Sequence, residues 1–427
     1  MNYHITQHET YSLGVVPTTD LGIVIASITI DLHTDNSVRE QVVQLLYPDA
    51  LLSGAGKLSR EAFLNAINLL GAEIATTIGE GRLTITIRSN ASSFPKVLSL
   101  AKVMLVEPTF ATSEIKRIKT TVTNELHVKQ EQTAVIAREQ LRNSFYSQND
   151  RRYTTDTPSL LKEMPTINPK ILHLYHKNLF SKKWTCTIAS DAKGVQSFER
   201  LLKEVRKDNK IMSKATTHKQ LTIHRSLTLK DVPSRSNIDF SIGIPTPLTI
   251  HHDDFVPLSF ALGVLGIPGF AGRLMSTVRE QEGLTYGIYA YPESFSGTEQ
   301  GYARIMTFFT PEKSLQGLTS TFREIKKFYQ RGITEAEFET FKNIFKTKQT
   351  LLQDSPFKQL NDLHSFNQNG FSVEEIKHFK NKLNSITREQ VNEVIKKYFD
   401  PSQFSISGAG PTKAVEKEIS SFFTTLK

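Results

Sequence analysis

Residues 266–291 read GIPGFAGRLMSTVREQEGLTYGIYAY. A Gly/Pro-rich turn opens this stretch, and an amphipathic helix follows. Gly283 stands where a helix-ending C′ glycine belongs. A strand rich in Tyr and Ile comes next. The pattern places Arg279 in the last turn of the helix and Tyr286 at the start of the strand, so both project near one junction. A permanently charged fork and a phenolic hydroxyl on rigid elements suit a peptide carbonyl or a developing oxyanion. A purely structural reading stands beside this one: Arg279 favoured by the helix macrodipole, and Tyr286 in a half-buried strand.

The run GRLMSTVREQEGLTYGIYA resembles the "SRL…LRE…GLAYSV" signature in the C-terminal domain of the insulinase/pitrilysin superfamily of zinc peptidases. The group it is most similar to holds the mitochondrial processing peptidases and their bacterial relatives. From Arg273 through Gly283 to Tyr286 the match needs no gap. The resemblance implies that Arg279 and Tyr286 complete an active site from the domain facing a zinc ion. It extends over about residues 11–410 and is strongest at 254–350.

A chain of 427 residues is long for one core, and two domains of about 200 residues are expected. Hydrophobic content of 38% and charged content of 22% are those of a globular protein. The net charge of +9 is spread along the chain, with no basic block interleaved with aromatics, so a nucleic-acid partner is not expected. Cys186 is the single cysteine, which excludes an intramolecular disulfide and a cysteine zinc cluster. No apolar run approaches the 18 residues of a membrane-spanning helix. The N-terminal MNYHITQHET has no signal pattern. The expected compartment is cytoplasmic, or periplasmic if Met1 is a cloning start behind a removed signal.

Hydrophobic periodicity predicts strands at 11–16 and 22–31, helices at 37–52 and from Ser59 to Gly71, and a hairpin of strands 72–78 and 82–88. A helix at 91–106 and one long helix from Ser113 to about Phe145 follow, with helical segments near 158–180. A strand at 184–190 and a helix at 194–206 close the half. SGAGKLS (53–59) is a loop, because Leu51 stands where a phosphate loop requires glycine. After the polar stretch 208–220 the pattern recurs: strands near 221–229 and 236–243, a helix at 254–266, the opening segment, a strand at 300–309 and helices from 311 onward. LLGAEI (69–74) answers EGLTYGI (282–288), and FATSEIKRIKT (110–120) answers ITEAEFETFKN (333–343). The architecture expected is α+β with an internal duplication: domains 1–207 and 221–427 joined by a linker at 208–220. Each is a mainly antiparallel sheet with helices on one face. The resemblance implies a clamshell arrangement of the two.

The resemblance also places a zinc motif, H-x-x-E-H, on the helix at 37–52. Anchored on the "G-x…SREEF…LGGEI" run, it falls on Leu45-Leu46-Tyr47-Pro48-Asp49. Leu45 and Asp49 replace the histidines and Pro48 replaces the general base. The third ligand matches Glu125, read here as a polar helix residue. Leucine has no lone pair to offer, proline cannot take up a proton, and two carboxylates without imidazole bind zinc poorly. No metal and no other cofactor are expected in this chain. His4 and His8, His127, and the His251-His252-Asp253-Asp254 run are read as non-ligands, with Asp capping the helix that follows the run.

The expected function is that of the non-catalytic subunit of a heterodimeric zinc metallopeptidase. A homologous, zinc-bearing partner would supply the metal and general base, while Arg279 and Tyr286 act in trans on a peptide or unfolded-protein substrate. No metallopeptidase activity is expected of the chain alone. The exposed edge of strand 72–78 is the local equivalent of the edge on which active relatives capture peptide by β-augmentation. The alternative is a non-enzymatic scaffold or core subunit that shares the peptidase fold.

Overall fold

The computed structural model describes residues 3–18, 22–32, 35–207, 211, 221, 224–266 and 272–426. In the first half of the chain, strands β1 (His4–Gln7), β2 (Tyr11–Pro17) and β3 (Ile23–Asp31) precede helix α1 (Val38–Leu51). The two-residue strands β4 (Gly54–Ala55) and β5 (Leu58–Ser59) then pair as a tight hairpin, so SGAGKLS is a small hairpin where a loop was expected. Next come α2 (Arg60–Leu69), β6 (Glu73–Gly79), β7 (Arg82–Asn90), α3 (Phe94–Val106), α4 (Thr112–Lys129) and α5 (Thr133–Phe145). Helices α6 (Thr157–Glu163) and α7 (Pro169–Leu179), strand β8 (Trp184–Ser190) and helix α8 (Ala192–Arg206) complete the half. The second half holds β9 (Leu227–Asp231), β10 (Ile238–Pro245), α9 (Phe255–Gly266), β11 (Ile288–Glu293), β12 (Tyr302–Phe309), α10 (Pro311–Arg331) and α11 (Glu335–Leu351). It ends with α12 (Pro356–Gln368), α13 (Val373–Ser385), α14 (Arg388–Tyr398), β13 (Ser405–Gly410) and α15 (Glu416–Thr425).

Besides the β4–β5 hairpin, the described residues form two larger sheets, and their orders show the duplication. The first runs β1-β2-β8-β3-β7-β6; the second, read in the same sense, runs β9-β13-β10-β12-β11. In both, the pair β2/β8 or its counterpart β9/β13 is parallel and the remaining pairs are antiparallel. Each sheet has its own apolar core. Ile28, Ile30, Ile85, Cys186 and Ile188 lie in one; Phe240, Ile242, Ile305 and Ile406 lie in the other. Buried and half-buried residues alternate along β7, the pattern of a strand with one face in the core. Cys186 is buried, and burial holds its thiol protonated, the state of a structural cysteine. No helix among the described residues is long and apolar enough to cross a membrane.

The two compact units do not follow a single cut in the sequence. One comprises residues 1–126, 155–217 and 349–376; the other comprises 127–154, 218–348 and 377–427. The expected linker at 208–220 lies outside the described residues except for Ile211. The expected single helix from Ser113 to Phe145 is two: α4 ends at Lys129, α5 starts at Thr133, and Gln130–Gln132 form a turn. That break lets α5 join the second unit, where it packs on β10 and β13. Reciprocally α12, from the second half, packs on β8 and β2 of the first unit. Most helices cover the core face of each sheet, as expected. The exchanged helix covers the other face.

That other face is small and polar, and the exchanged helices meet it with side chains cut to fit. In the first unit, His364 on α12 bonds Thr29 Oγ1 through Nε2 at 2.7 Å and Thr187 Oγ1 through Nδ1 at 2.9 Å. Asn367 Nδ2 donates to the Cys186 carbonyl at 3.1 Å. Leu360 and Leu363 are fully buried, a contribution of roughly 1.5–3 kcal/mol each. A Cβ on Gly14 would stand 3.2 Å from Leu363 Cδ2, so glycine gives the helix its closest approach. In the second unit Thr133 Oγ1 donates to Asp239 at 2.5 Å, Ser407 Oγ donates to Gln140 at 3.1 Å, and Arg138 pairs with Glu293 at 2.6 Å. The counterpart close approach is Leu141 against Gly243, where a Cβ would stand 2.9 Å from Leu141 Cδ2.

Two expectations follow. A protease site engineered into residues 208–220 will leave two fragments that stay together on gel filtration in native buffer, because each fragment supplies a helix to the other's sheet. Separation without denaturant would contradict the exchange. The second concerns pH. Burial pushes His364 down to about 4, against about 6.5 for a free imidazole. The unfolded chain therefore binds a proton that the fold refuses, and stability falls as pH drops from about 6.5 toward 4, by up to ~3 kcal/mol from this group. His364→Gln should flatten that acid limb in urea midpoints measured across the same range; superimposable limbs would refute the assignment.

Candidate functional site

The signature segment builds a junction in the second unit. Of the Gly/Pro-rich turn, residues 267–271 lie outside the described residues. Beyond it Arg273 and Leu274 are helical, and residues Met275–Gln281 wind as a π-helix rather than the α-helix expected from periodicity. The wider winding shows in its closing bonds: Glu282 N–H reaches Thr277 O at 3.1 Å and Leu284 N–H reaches Val278 O at 3.0 Å. Leu274, Met275 and Val278 point into the core, and Arg279 is left half-buried. Gly283 ends the helix at φ 61°, the left-handed conformation that its sequence position foretold. Gly71, which ends α2 in the first unit, has φ 60°, so the repeat extends to this turn.

Arg273 is an anchor. Its guanidinium makes a bidentate pair with Glu337 on α11 at 2.8 and 2.7 Å, and it also donates to the Gly332 carbonyl at 3.1 Å. Burial alone would push the Glu337 carboxyl up. The bonds from Arg273 and from Thr334 outweigh it and hold the group below the usual carboxylate range.

Tyr286 does not start the strand, which begins two residues later at Ile288. It sits in a bend created by its neighbours. The buried Thr285 hydroxyl accepts from Gly287 N–H and lies within bonding distance of Gly287 O, each at 3.2 Å. Tied across residue 286, the backbone throws the Tyr286 ring outward, where it is 84% exposed. A phenol that solvated contributes little to the core, and its hydroxyl is open to solvent.

Arg279 and Tyr286 line the same cavity, of about 570 Å³, as the sequence pattern implied. Its other walls are Asn237, Glu280, Gly283, Leu284, Thr285, Phe308, Phe309, Thr310 and Lys313. Lys313, in the first turn of α10, donates to the Gly283 carbonyl at 3.2 Å. Sequence reasoning overlooked Lys313; the helix-start pattern Thr310-Pro311 was the signal that would have placed it. The cavity lining thus combines cationic donors, a phenolic hydroxyl and apolar side chains.

In the first unit the residues at the degenerate zinc motif stand apart from such chemistry. Leu45 and Asp49 are exposed on α1, Pro48 lies within its last turn, and Glu125 is exposed on α4. Thr76 on the edge strand β6 donates to the Pro48 carbonyl at 2.9 Å. The inward residue is Tyr47, fully buried, whose hydroxyl meets His176 Nδ1 at 2.6 Å. His176 Nε2 lies 2.8 Å from the Leu105 carbonyl. A carbonyl only accepts, so Nε2 carries the hydrogen and Tyr47 donates to Nδ1. Burial pushes His176 down to about 4 and Tyr47 well up, so the pair stays neutral. An aromatic, uncharged plug thus stands behind α1.

Among the described residues no three His, Cys, Asp or Glu side chains gather as a metal-holding group. His8 stacks on Tyr11 at 4.3 Å, and His252 accepts from the Asp254 N–H at 3.0 Å. The Asp254 carboxylate binds Lys397 at 2.9 Å and the Tyr398 hydroxyl at 2.7 Å, so its partners lie on α14 rather than among the helix-end amides the sequence suggested.

Residues 167–345 match the family described as the peptidase M16 inactive domain. A non-peptidase homolog, YmxG, from Helicobacter pylori is 22% identical over 154 residues, a stretch that spans 36% of this chain and about a third (35%) of that relative. Among solved structures, a peptidase M16 inactive domain from Pseudomonas fluorescens superposes with a TM-score of 0.84 at 19% identity, covering 96% of this chain and 99% of that one. A protease from Helicobacter pylori superposes at 0.82 with 13% identity and the same coverage. Through residues 167–345 the chain is similar to the peptidase M16 inactive-domain family, and over nearly its whole length it has the fold seen in these solved structures.

Proposed function

We propose that this chain is the non-catalytic subunit of a heterodimeric zinc metallopeptidase, binding the peptide that a zinc-bearing homologous subunit cleaves. The observation that carries the reading is one-sided: Leu45 and Pro48 stand where a zinc ligand and a general base are needed, while Arg279 and Tyr286 share one cavity wall. The partner supplies zinc, histidines and general base. Arg279 and Tyr286 hydrogen-bond the substrate backbone or the oxyanion of the tetrahedral intermediate, donors that need no reorganisation when charge develops. The Tyr286 bend, fixed by Thr285, supports this role by presenting the hydroxyl on a rigid support. Strand β6, which among the described residues pairs with β7 alone and so lies at the edge of its sheet, supports capture of an extended chain by added-strand pairing.

Peptide hydrolysis should be measured with the purified chain, with its zinc-bearing homologue from the same genome, and with the mixture, zinc being quantified in each. The expected result is cleavage by the mixture and none by this chain alone. Arg279→Ala should then lower kcat of the mixture by ~10²–10³. Undiminished turnover by that variant would refute the trans-acting role, and an inactive mixture would favour a scaffold instead.

A further inference from the structure

The cavity beside Tyr286 holds more positive charge than binding a peptide backbone requires. Among the described residues its lining includes two cations, Arg279 and Lys313, and one carboxylate, Glu280. Two acidic side chains close by in the sequence have partners of their own. Glu282 is ion-paired to Arg323. Glu312 is held low by the amide at its own helix start and by the Thr310 hydroxyl. Lys313 uses one ammonium donor on the Gly283 carbonyl, and an ammonium has three. The Gly283 bond also fixes the ammonium over the residue that ends the π-helical turn carrying Arg279. Asn237 adds a neutral amide to the same wall, and Phe308 and Leu284 supply apolar surface. The charge balance, the fixed ammonium and the room for a side chain together suit one ligand chemistry, a carboxylate flanked by extended backbone.

We infer that this cavity is a carboxylate subsite with Lys313 as its specificity-determining residue, so that the chain prefers peptides presenting an acidic side chain or a free C-terminus there. The inference rests on the peptide-binding reading given above and narrows its substrate class. Lys313 forms a charge-assisted bond to the carboxylate, Arg279 shares the charge, and Tyr286 at the rim bonds the adjoining backbone.

The test uses the full chain and four fluorescein-labelled decapeptides of one sequence: a central Glu or Gln, each with a C-terminal acid or amide. Affinity is read by fluorescence anisotropy at low salt. The expected result is that at least one carboxylate-bearing peptide binds about tenfold more tightly than the Gln amide. Whichever carboxylate carries the gain identifies the source. In Lys313→Gln, shown folded by circular dichroism, the gain should vanish; in Lys313→Arg it should persist. Equal affinity for all four peptides, or a gain undiminished in Lys313→Gln, would overturn the subsite while leaving peptide binding intact. Absence of binding by all four would overturn both.

Discussion

The fold depends on how each sheet covers its second face. A sheet buried on one side by apolar helices still exposes the other side, and here that side is lined with Gly14, Thr29 and Thr187 in one unit and Ser241, Gly243 and Ser407 in the other. Such a surface is too polar to be hidden by hydrophobic contact alone and too small-featured to be left bare in a well-packed protein. A single helix closes it, with one leucine against one glycine and a ring of hydrogen bonds around them. Each helix comes from the opposite half of the sequence, so neither half-chain holds all the parts of its own unit.

The candidate site shows a second constraint at smaller scale. A π-helical turn, a left-handed glycine and a threonine tied across one residue bring a guanidinium and an exposed phenol to one cavity. Each device is local, and each is anchored at a distance: Arg273 to α11, and Lys313 to the Gly283 carbonyl. In the first unit the space behind α1 is of another kind. Tyr47 and His176 form a neutral, buried pair on its inward side, while Leu45, Pro48 and Asp49 at the degenerate motif offer no imidazole and no general base.

Much of this was legible in the sequence. The α+β class and the duplication followed from hydrophobic periodicity and from two answering glycine turns, Gly71 and Gly283, because a φ near +60° is a constraint a residue type can report. The Arg279/Tyr286 pairing followed from helix-then-strand spacing. The exchange of α5 and α12 did not. Gln130–Gln132 contains no glycine or proline, and good helix formers on both sides hide a break made by tertiary packing. The π-helical winding was hidden for a related reason, since apolar spacing over seven residues fits either winding. Lys313 was missed because it comes from another element, thirty-four residues beyond Arg279 in the sequence.

The exchanged helices also bear on how such a chain could arise. A polypeptide of half this length, with the same connectivity, would send one of its middle helices away from its own sheet. Its polar second face would then be open to water until another copy returned the favour. The duplicated chain carries that reciprocity within one molecule: what would be a dilute, symmetric encounter between two copies becomes a tethered one, at a fixed local concentration. Once tethered, the two copies are free to diverge in sequence.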